Sequence, residues 1–296
     1  MDLPNGTVVN RPRVLGVRID VEGDPARAEP RPGESVTLRW LVVPGGDAWM
    51  SALTACVAAP ANTGFPGCAE APFAFAPPGT PSPSPSFALS VPVGAAGRSI
   101  LVAGVLCANG VPTLPEEGLP DCEGEDATTE RVIFTFDVAG DAPPNQHPSW
   151  AEQTFTIDEQ AWDAPPAELP TSGCAAVAGA PALPRITRRI EDEPSTITFT
   201  TRAEDRETYD ELVLGEMPTF ETRREDLRIT HAATGGFFPR LSTEVFDDEA
   251  PTPNVPWRHP TEEEVPEDGL TVRFWFVMRD GRGGMDWIER AACVVR

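Results

Sequence analysis

The stretch TVRFWFVMRDGRGGMDWIERAACVV, residues 271–295, admits two readings, and the choice between them decides the fold. Its centre, Arg279 to Gly284, is either a glycine-rich anion loop or the bend of a hairpin. On its N-terminal side Val272, Phe274, Phe276 and Met278 fall on one face. Arg273 and Arg279 fall on the other, with Trp275 and Val277 between them. That is the period of two expected of a strand, with the second face partly covered. A phosphate loop needs a helix to follow it, with its amide ends aimed at the anion. Met285 to Val295 continues instead as a return strand. Asp280, Gly281, Gly283 and Gly284 supply the backbone freedom of a short hairpin connection. An arginine-glycine tract for nucleic acid would be repeated and sit in a basic tail, whereas this one occurs once in a strongly acidic chain.

The same period recurs outward from this hairpin. In VLGVRIDV, residues 14–21, Leu15, Val17, Ile19 and Val21 alternate with smaller or polar residues. In SVTLRWLV, 35–42, Val36, Leu38, Trp40 and Val42 share a face. Phe87, Leu89, Val91 and Val93 do the same, as do Val132, Phe134, Phe136 and Val138 against Arg131, Thr135 and Asp137. RSILVAGVLCA, 98–108, is apolar on both sides, as a central strand would be. Further short alternating runs follow at 151–159, 194–202, 225–233 and 235–246. The stretch 204–217 reads as a helical turn or a short strand. No run approaches the roughly 18 apolar residues of a membrane helix. With 34 prolines and 25 glycines, regular elements must be short and turns many. Pro77 to Ser86 is a proline-serine loop, read as solvated and set against a partner's ligand or a glycosylation tract.

At 296 residues, with 40% hydrophobic content, the chain has room for two cores. The pattern predicts an all-β protein of two tandem sandwiches with long Pro/Gly-rich loops. A flexible segment spans 1–12, a first domain 13–140 and a second 141–296, with a linker at AGDAPPNQHPSW.

The 46 acidic residues against 23 basic ones give a net charge of -23, and every basic residue is arginine. Such a surface repels nucleic acid, so that partner is excluded. Arginine-only usage fits a high-GC coding bias or a salt-adapted surface. The even set Cys56, Cys68, Cys107, Cys122, Cys174 and Cys293 contains no CxxC pair, which argues against a zinc ribbon or a redox motif. Cys56 and Cys68 flank one Pro/Gly loop, and Cys107 and Cys122 another. The expected pairing is therefore Cys56–Cys68, Cys107–Cys122 and Cys174–Cys293, against an inter-sheet Cys56–Cys107 bridge of the antibody kind. Either pairing implies an oxidising compartment. Such a location requires a targeting segment, and Met1 is expected to mark a mature portion, with a lipid-anchored cysteine upstream of residue 2.

RPGESVTLRW, 31–40, resembles the proline-glycine-acid turn and second strand of bacterial immunoglobulin-like domains. The terminal DGRGG hairpin resembles the last hairpin of Ig-like or PKD-like modules. The two-module layout with local cysteine loops resembles exported lipoproteins of high-GC Gram-negative bacteria. The resemblance implies an extracytoplasmic, non-enzymatic surface or periplasmic module that binds, adheres or spaces, with a protein or glycan partner.

Few residues offer chemistry. No GxSxG, HExxH, GxxxxGK[ST] or GxGxxG occurs. His147 and His259 precede prolines in loops and are expected to be exposed; His231 is expected to cap a strand. A hydrolase would need a site assembled in space, from a triad or a carboxylate pair. A structural subunit adding a strand to a larger assembly is the other alternative. Calcium has two candidate loops. One holds Glu204, Asp205, Glu207, Asp210 and Glu211, whose DRE resembles a cadherin-type turn. The other holds Glu116, Glu117, Asp121, Glu123, Glu125 and Asp126. Both are set against plain solvated acidic faces. Trp257, with Arg258 and His259, is a candidate exposed aromatic for sugar or peptide contact, set against a tryptophan that tucks its loop onto the core.

Overall fold

A computed structural model describes residues 6–46, 48–60, 66–113, 120–166, 168–170, 173–174, 183–190, 193–201, 206–213, 218–246 and 252–296, with the backbone alone at 211–212. These residues form strands and turns, with no helix among them. They divide into two compact units. One comprises Arg11–His147 with Arg282–Met285; the other comprises Met1–Asn10, Pro148–Gly281 and Asp286–Arg296.

In the Arg11–His147 unit the strands are β1 (Arg13–Val21), β2 (Ser35–Val43), β3 (Trp49–Val57), β4 (Ala74–Ala76), β5 (Ser86–Ser90), β6 (Ser99–Ala108), β7 (Val111–Thr113), β8 (Asp121–Glu123) and β9 (Thr128–Asp137). They make a three-stranded sheet ordered β1-β2-β5 and a four-stranded sheet ordered β4-β3-β6-β9. The alternation seen in the sequence becomes one buried layer: Val17, Ile19, Val36, Leu38 and Trp40 meet Leu53, Val57, Ile100, Val102 and Phe136 in a single cluster. Each large aliphatic or aromatic side chain buried there contributes about 1.5–3 kcal/mol, which is why the period of two is obeyed so strictly. β6 is covered on its outer face too. There the hairpin β7–β8 is tied down by Cys107–Cys122, and Ala52, Val105 and Cys107 are buried with Cys122 packed against them.

The second unit holds β10 (Phe155–Ile157), β11 (Gln160–Ala161), β12 (Arg185–Thr187), β13 (Ser195–Phe199), β14 (Thr208–Val213), β15 (Thr219–Arg224), β16 (Leu227–Ala233), β17 (Ser242–Val245), β18 (Asn254–Trp257), β19 (Leu270–Arg279) and β20 (Met285–Val295). Its sheets are ordered β11-β10-β13-β18 and β12-β20-β19-β16-β17, with β14–β15 as a separate pair. Its core is aromatic, with Trp150, Phe155, Trp162, Phe199, Phe238, Trp257, Phe274 and Phe276 buried together. The stretch read as turn or strand at 204–217 contains β14.

Residues 7–9 are not part of a flexible leader as expected for 1–12. Thr7 is buried and accepts the Phe238 N–H on its Oγ1, and Val9 N–H donates to Ala233 O. Backbone groups that find partners in this way are held to the sheet, so residues 7–9 belong to the second unit. The three bridges pair as the local-loop reading predicts: Cys56–Cys68, Cys107–Cys122 and Cys174–Cys293, with no free cysteine. Three such bridges mark an oxidising, extracytoplasmic environment. Among the described residues no helix is long and apolar enough to cross a membrane.

Candidate functional site

The segment Arg279–Gly284 is a bend. β19 ends at Arg279, β20 starts at Met285, and Gly281 and Gly283 take positive φ of 81° and 105°. No helix follows, so no set of amide ends faces an anion there.

The side-chain cluster richest in polar chemistry lies in the second unit. β13 points Ser195, Ile197 and Phe199 inward, so a hydroxyl occupies a slot where its neighbours in phase are apolar. Ser195 is completely buried, and a buried hydroxyl needs partners. Asp158, in the turn between β10 and β11, supplies one: its Oδ2 accepts from Ser195 Oγ at 2.8 Å. Asp158 also accepts from the Thr196 N–H and from both terminal nitrogens of Arg189. His259, just past β18, supplies the other, with Nε2 2.8 Å from Ser195 Oγ. Its Nδ1 accepts the Arg189 N–H at 3.4 Å. Burial, then the positive charge of Arg189, pushes the His259 pKa down to about 4, so the ring is neutral.

These bonds assign the protons. Because Nδ1 accepts, the ring hydrogen sits on Nε2 and is donated to Ser195; Ser195 donates in turn to Asp158. A nucleophilic serine needs the opposite order. Its proton must pass to Nε2, and a carboxylate must hold Nδ1–H. Here the carboxylate lies on the serine and a backbone amide faces Nδ1. The chain Asp158–Ser195–His259 therefore ties the β10–β11 turn, β13 and the β18 exit together. Beside it opens a pocket of about 420 Å3 lined by Arg188, Arg189, Gly235, Gly236, Phe237 and His259. Both guanidinium groups already hold carboxylates, Arg188 that of Glu262 and Arg189 that of Asp158.

The structure relocates several residues. Trp257 is fully buried, not exposed: its ring packs edge-on to Phe274 at 4.9 Å, and its Nε1–H donates to Gly235 O. The inward phase of β18 carries it into the core, where the buried indole area outweighs any surface role. His259 and His147 are likewise buried rather than exposed. His147 accepts the Met285 N–H on Nδ1 and lies 2.6 Å from Ile19 O through Nε2. His231 lies within β16, not at a cap, with its ring against Phe238 and its pKa lowered to about 4 by burial.

Of the calcium candidates, Glu204, Asp205, Glu116 and Glu117 lie outside the described residues. Glu207 lies just before β14. Asp210 lies within β14, where its Oδ1 accepts from Thr222 Oγ1 across the pair, and the Glu207 backbone is bonded to Glu225. Asp121 is engaged by the Thr129 hydroxyl, the Cys122 N–H and Arg131. These hold its carboxyl below the usual range, with the Thr129 bond the largest cause. Among the described residues no group of three or more His, Cys, Asp and Glu is placed to hold a metal.

A second feature lies in the Arg11–His147 unit, on the outer face of its four-stranded sheet. Phe75 pairs with Thr54, Thr54 with Ala103, and Ala103 with Ile133, so one row crosses all four strands. Phe75 and Ile133, at the ends, are 54% and 55% exposed, and the two small residues between them make a low floor. Cys56 and Cys107 also point outward on this face, and their bridges to Cys68 and Cys122 frame the row on either side.

No protein-family model matches the chain, and no curated protein matches it.

Proposed function

We propose that the chain is a non-catalytic, extracytoplasmic binding module built on two Ig-like sandwiches. With the short β7–β8 pair, β11, β12 and the β14–β15 pair set aside, each unit divides seven strands in one way: the first, second and fifth form one sheet, and the third, fourth, sixth and last form the other. This differs from the seven-strand immunoglobulin arrangement only in where the fourth strand pairs. The observation that carries the binding role is the row Phe75–Thr54–Ala103–Ile133. Two large apolar side chains exposed at the ends of one row across a sheet supply the apolar surface that a partner would cover. The proton order through Ser195 supports a role without acyl transfer. The partner is a surface protein or glycan that lays an apolar or sugar-ring face across the row.

The test is binding of the labelled, oxidised chain to arrays of envelope proteins and cell-surface glycans. Phe75→Asp and Ile133→Asp each abolish the signal while leaving the melting temperature unchanged. Val93→Asp, at a position 85% exposed elsewhere on the same unit, leaves it intact. Retention of binding by both row variants refutes this reading.

A further inference from the structure

Residues 208–224 leave the sandwich pattern of the second unit. Among the described residues β14 and β15 pair only with each other, in the register Thr208↔Arg224 through Val213↔Thr219. A two-stranded ribbon is marginal in water unless further strands or a packed face support it. This ribbon has a fixed base. Arg206 and Glu225 are buried there, the Arg206 Nε–H donates to Glu225 O, and Glu207 N–H donates to the Glu225 carboxylate while Glu225 N–H donates to Glu207 O. Beyond that base all six residues of β15 are exposed, and Phe220 is 74% exposed. The far edge of β15 meets no other strand among the described residues. An anchored strand with an exposed aromatic, and an edge that meets no other strand among the described residues, is a template for strand addition.

The sequence of β15, TFETRR, selects the strand that fits it. We propose that β15 is a homodimerisation edge, pairing antiparallel with β15 of a second copy about a twofold axis at Thr222. Within the chain Arg223 already pairs with Glu221 at 3.4 Å on one face of the strand; in that register each of them also faces the opposite charge on the copy, Phe220 faces Arg224 of the copy, and symmetry repeats both contacts. Opposite charges directly across an antiparallel pair stabilise it, and a guanidinium over a phenyl ring adds a cation–π contact. Centring one residue earlier sets Glu221 against itself, and centring one residue later sets Arg223 against itself, so like charges disfavour both slips. The product is a four-stranded sheet, β14-β15-β15-β14, in which the ribbon gains the neighbours it lacks. The inference does not depend on the row at Phe75, which belongs to the other unit.

Sedimentation equilibrium of the full oxidised chain tests it. The wild type associates reversibly to a dimer. Glu221→Arg and Arg223→Glu each turn two attractive pairs into two repulsive ones and weaken dimerisation by about tenfold or more. Mixed in equal amounts, the two variants form a heterodimer. The arginine introduced in one variant then meets the glutamate introduced in the other, and the native Arg223 of the first meets the native Glu221 of the second. Restored association in the mixture separates the pairing from damage to the fold. The proposal is overturned by a wild type that stays monomeric at about 1 mM. It is equally overturned by a dimer indifferent to both reversals, or by a mixture that does not associate.

Discussion

Ser195 Oγ lies 2.8 Å from His259 Nε2 and 2.8 Å from Asp158 Oδ2, and its single proton is committed to the carboxylate. The three residue types match those of a hydrolytic triad, but their connectivity is that of a tie. Ser195→Ala therefore leaves a buried imidazole and a carboxylate each short of one bond, and destabilises the unit by about 1–3 kcal/mol. A fluorophosphonate probe leaves Ser195 unlabelled in the wild type, because the hydroxyl is buried and the imidazole nitrogen facing it already carries the ring proton. Mass-spectrometric detection of an adduct at Ser195 would contradict the assigned proton order.

Two histidines make stability depend on pH. His231 and His259 are each lowered from an ordinary value of 6.5 to about 4, mainly by burial. Between those values the unfolded chain holds protons that the folded chain does not. Stability from these sites is complete above the unfolded pKa and falls as pH drops from 6.5 towards 4. The loss reaches up to about 3 kcal/mol at His231 and less at His259, whose ring borders an open pocket where solvent screens its charge. The overall acid response also includes the many carboxylates, so the informative quantity is a difference between variants. The His231 Nδ1 is buried without a hydrogen-bond partner among the described residues, Nε2 lies 3.2 Å from Thr243 Oγ1, and the ring packs at a tilt against Phe238. His231→Phe keeps the ring and removes the charge. It is expected to raise the denaturation midpoint more at pH 5 than at pH 8. An equal change at both values would show that His231 does not titrate in this window.

The disulfides differ in the chain they close. Cys174–Cys293 spans 119 residues, whereas Cys56–Cys68 and Cys107–Cys122 span 12 and 15. Loop-closure entropy then assigns about 5 kcal/mol to the long bridge and about 3 kcal/mol to each short one. Paired Cys→Ala replacement is expected to lower the stability of the Pro148–Arg296 unit most. The two short-bridge variants affect the other unit, and chemical denaturation followed by domain-specific tryptophans separates the transitions. A long-bridge variant as stable as the short-bridge ones would rule out the entropic ranking.

Much of the fold is readable because burial on one face of a strand leaves a period of two in the sequence. Val36, Leu38 and Trp40, or Val272, Phe274 and Phe276, carry that signal alone. The disulfide pairing is readable because two cysteine pairs flank short loops. The site residues are less so. Trp257 reads either as a surface aromatic or as one that tucks its loop onto the core, because VPW sits among prolines and charges; its phase in β18 turns it inward. Asp158 and His259 lie far apart in sequence and meet through Ser195 and Arg189. The one local trace is Ser195 itself, a hydroxyl in the apolar phase of STITF. Ile133 leaves a similar trace, an apolar residue in the polar phase of RVIFTFDV. Residues out of phase with their strand mark the places where burial is not the governing term.

Gly104 shows a requirement that no periodicity conveys. In β6 it stands opposite Leu53 of β3, with φ of 154°. A Cβ there would come within 2.1 Å of Ala52 O and 2.9 Å of the Leu53 Cα. Both are backbone atoms of a paired central strand, so neither can rotate aside as a side chain would. Gly104→Ala must separate β3 from β6 at the middle of the sheet or break its ladder there. The expected loss is about 3 kcal/mol, at or beyond the upper end for core overpacking. Gly94 serves as the control, since a Cβ at that position meets nothing within 4 Å, and Gly94→Ala is expected to change stability by no more than about 0.5 kcal/mol. Urea denaturation of the two variants makes the comparison. Equal midpoints would mean that β3 and β6 do not approach at Gly104 as closely as this packing requires.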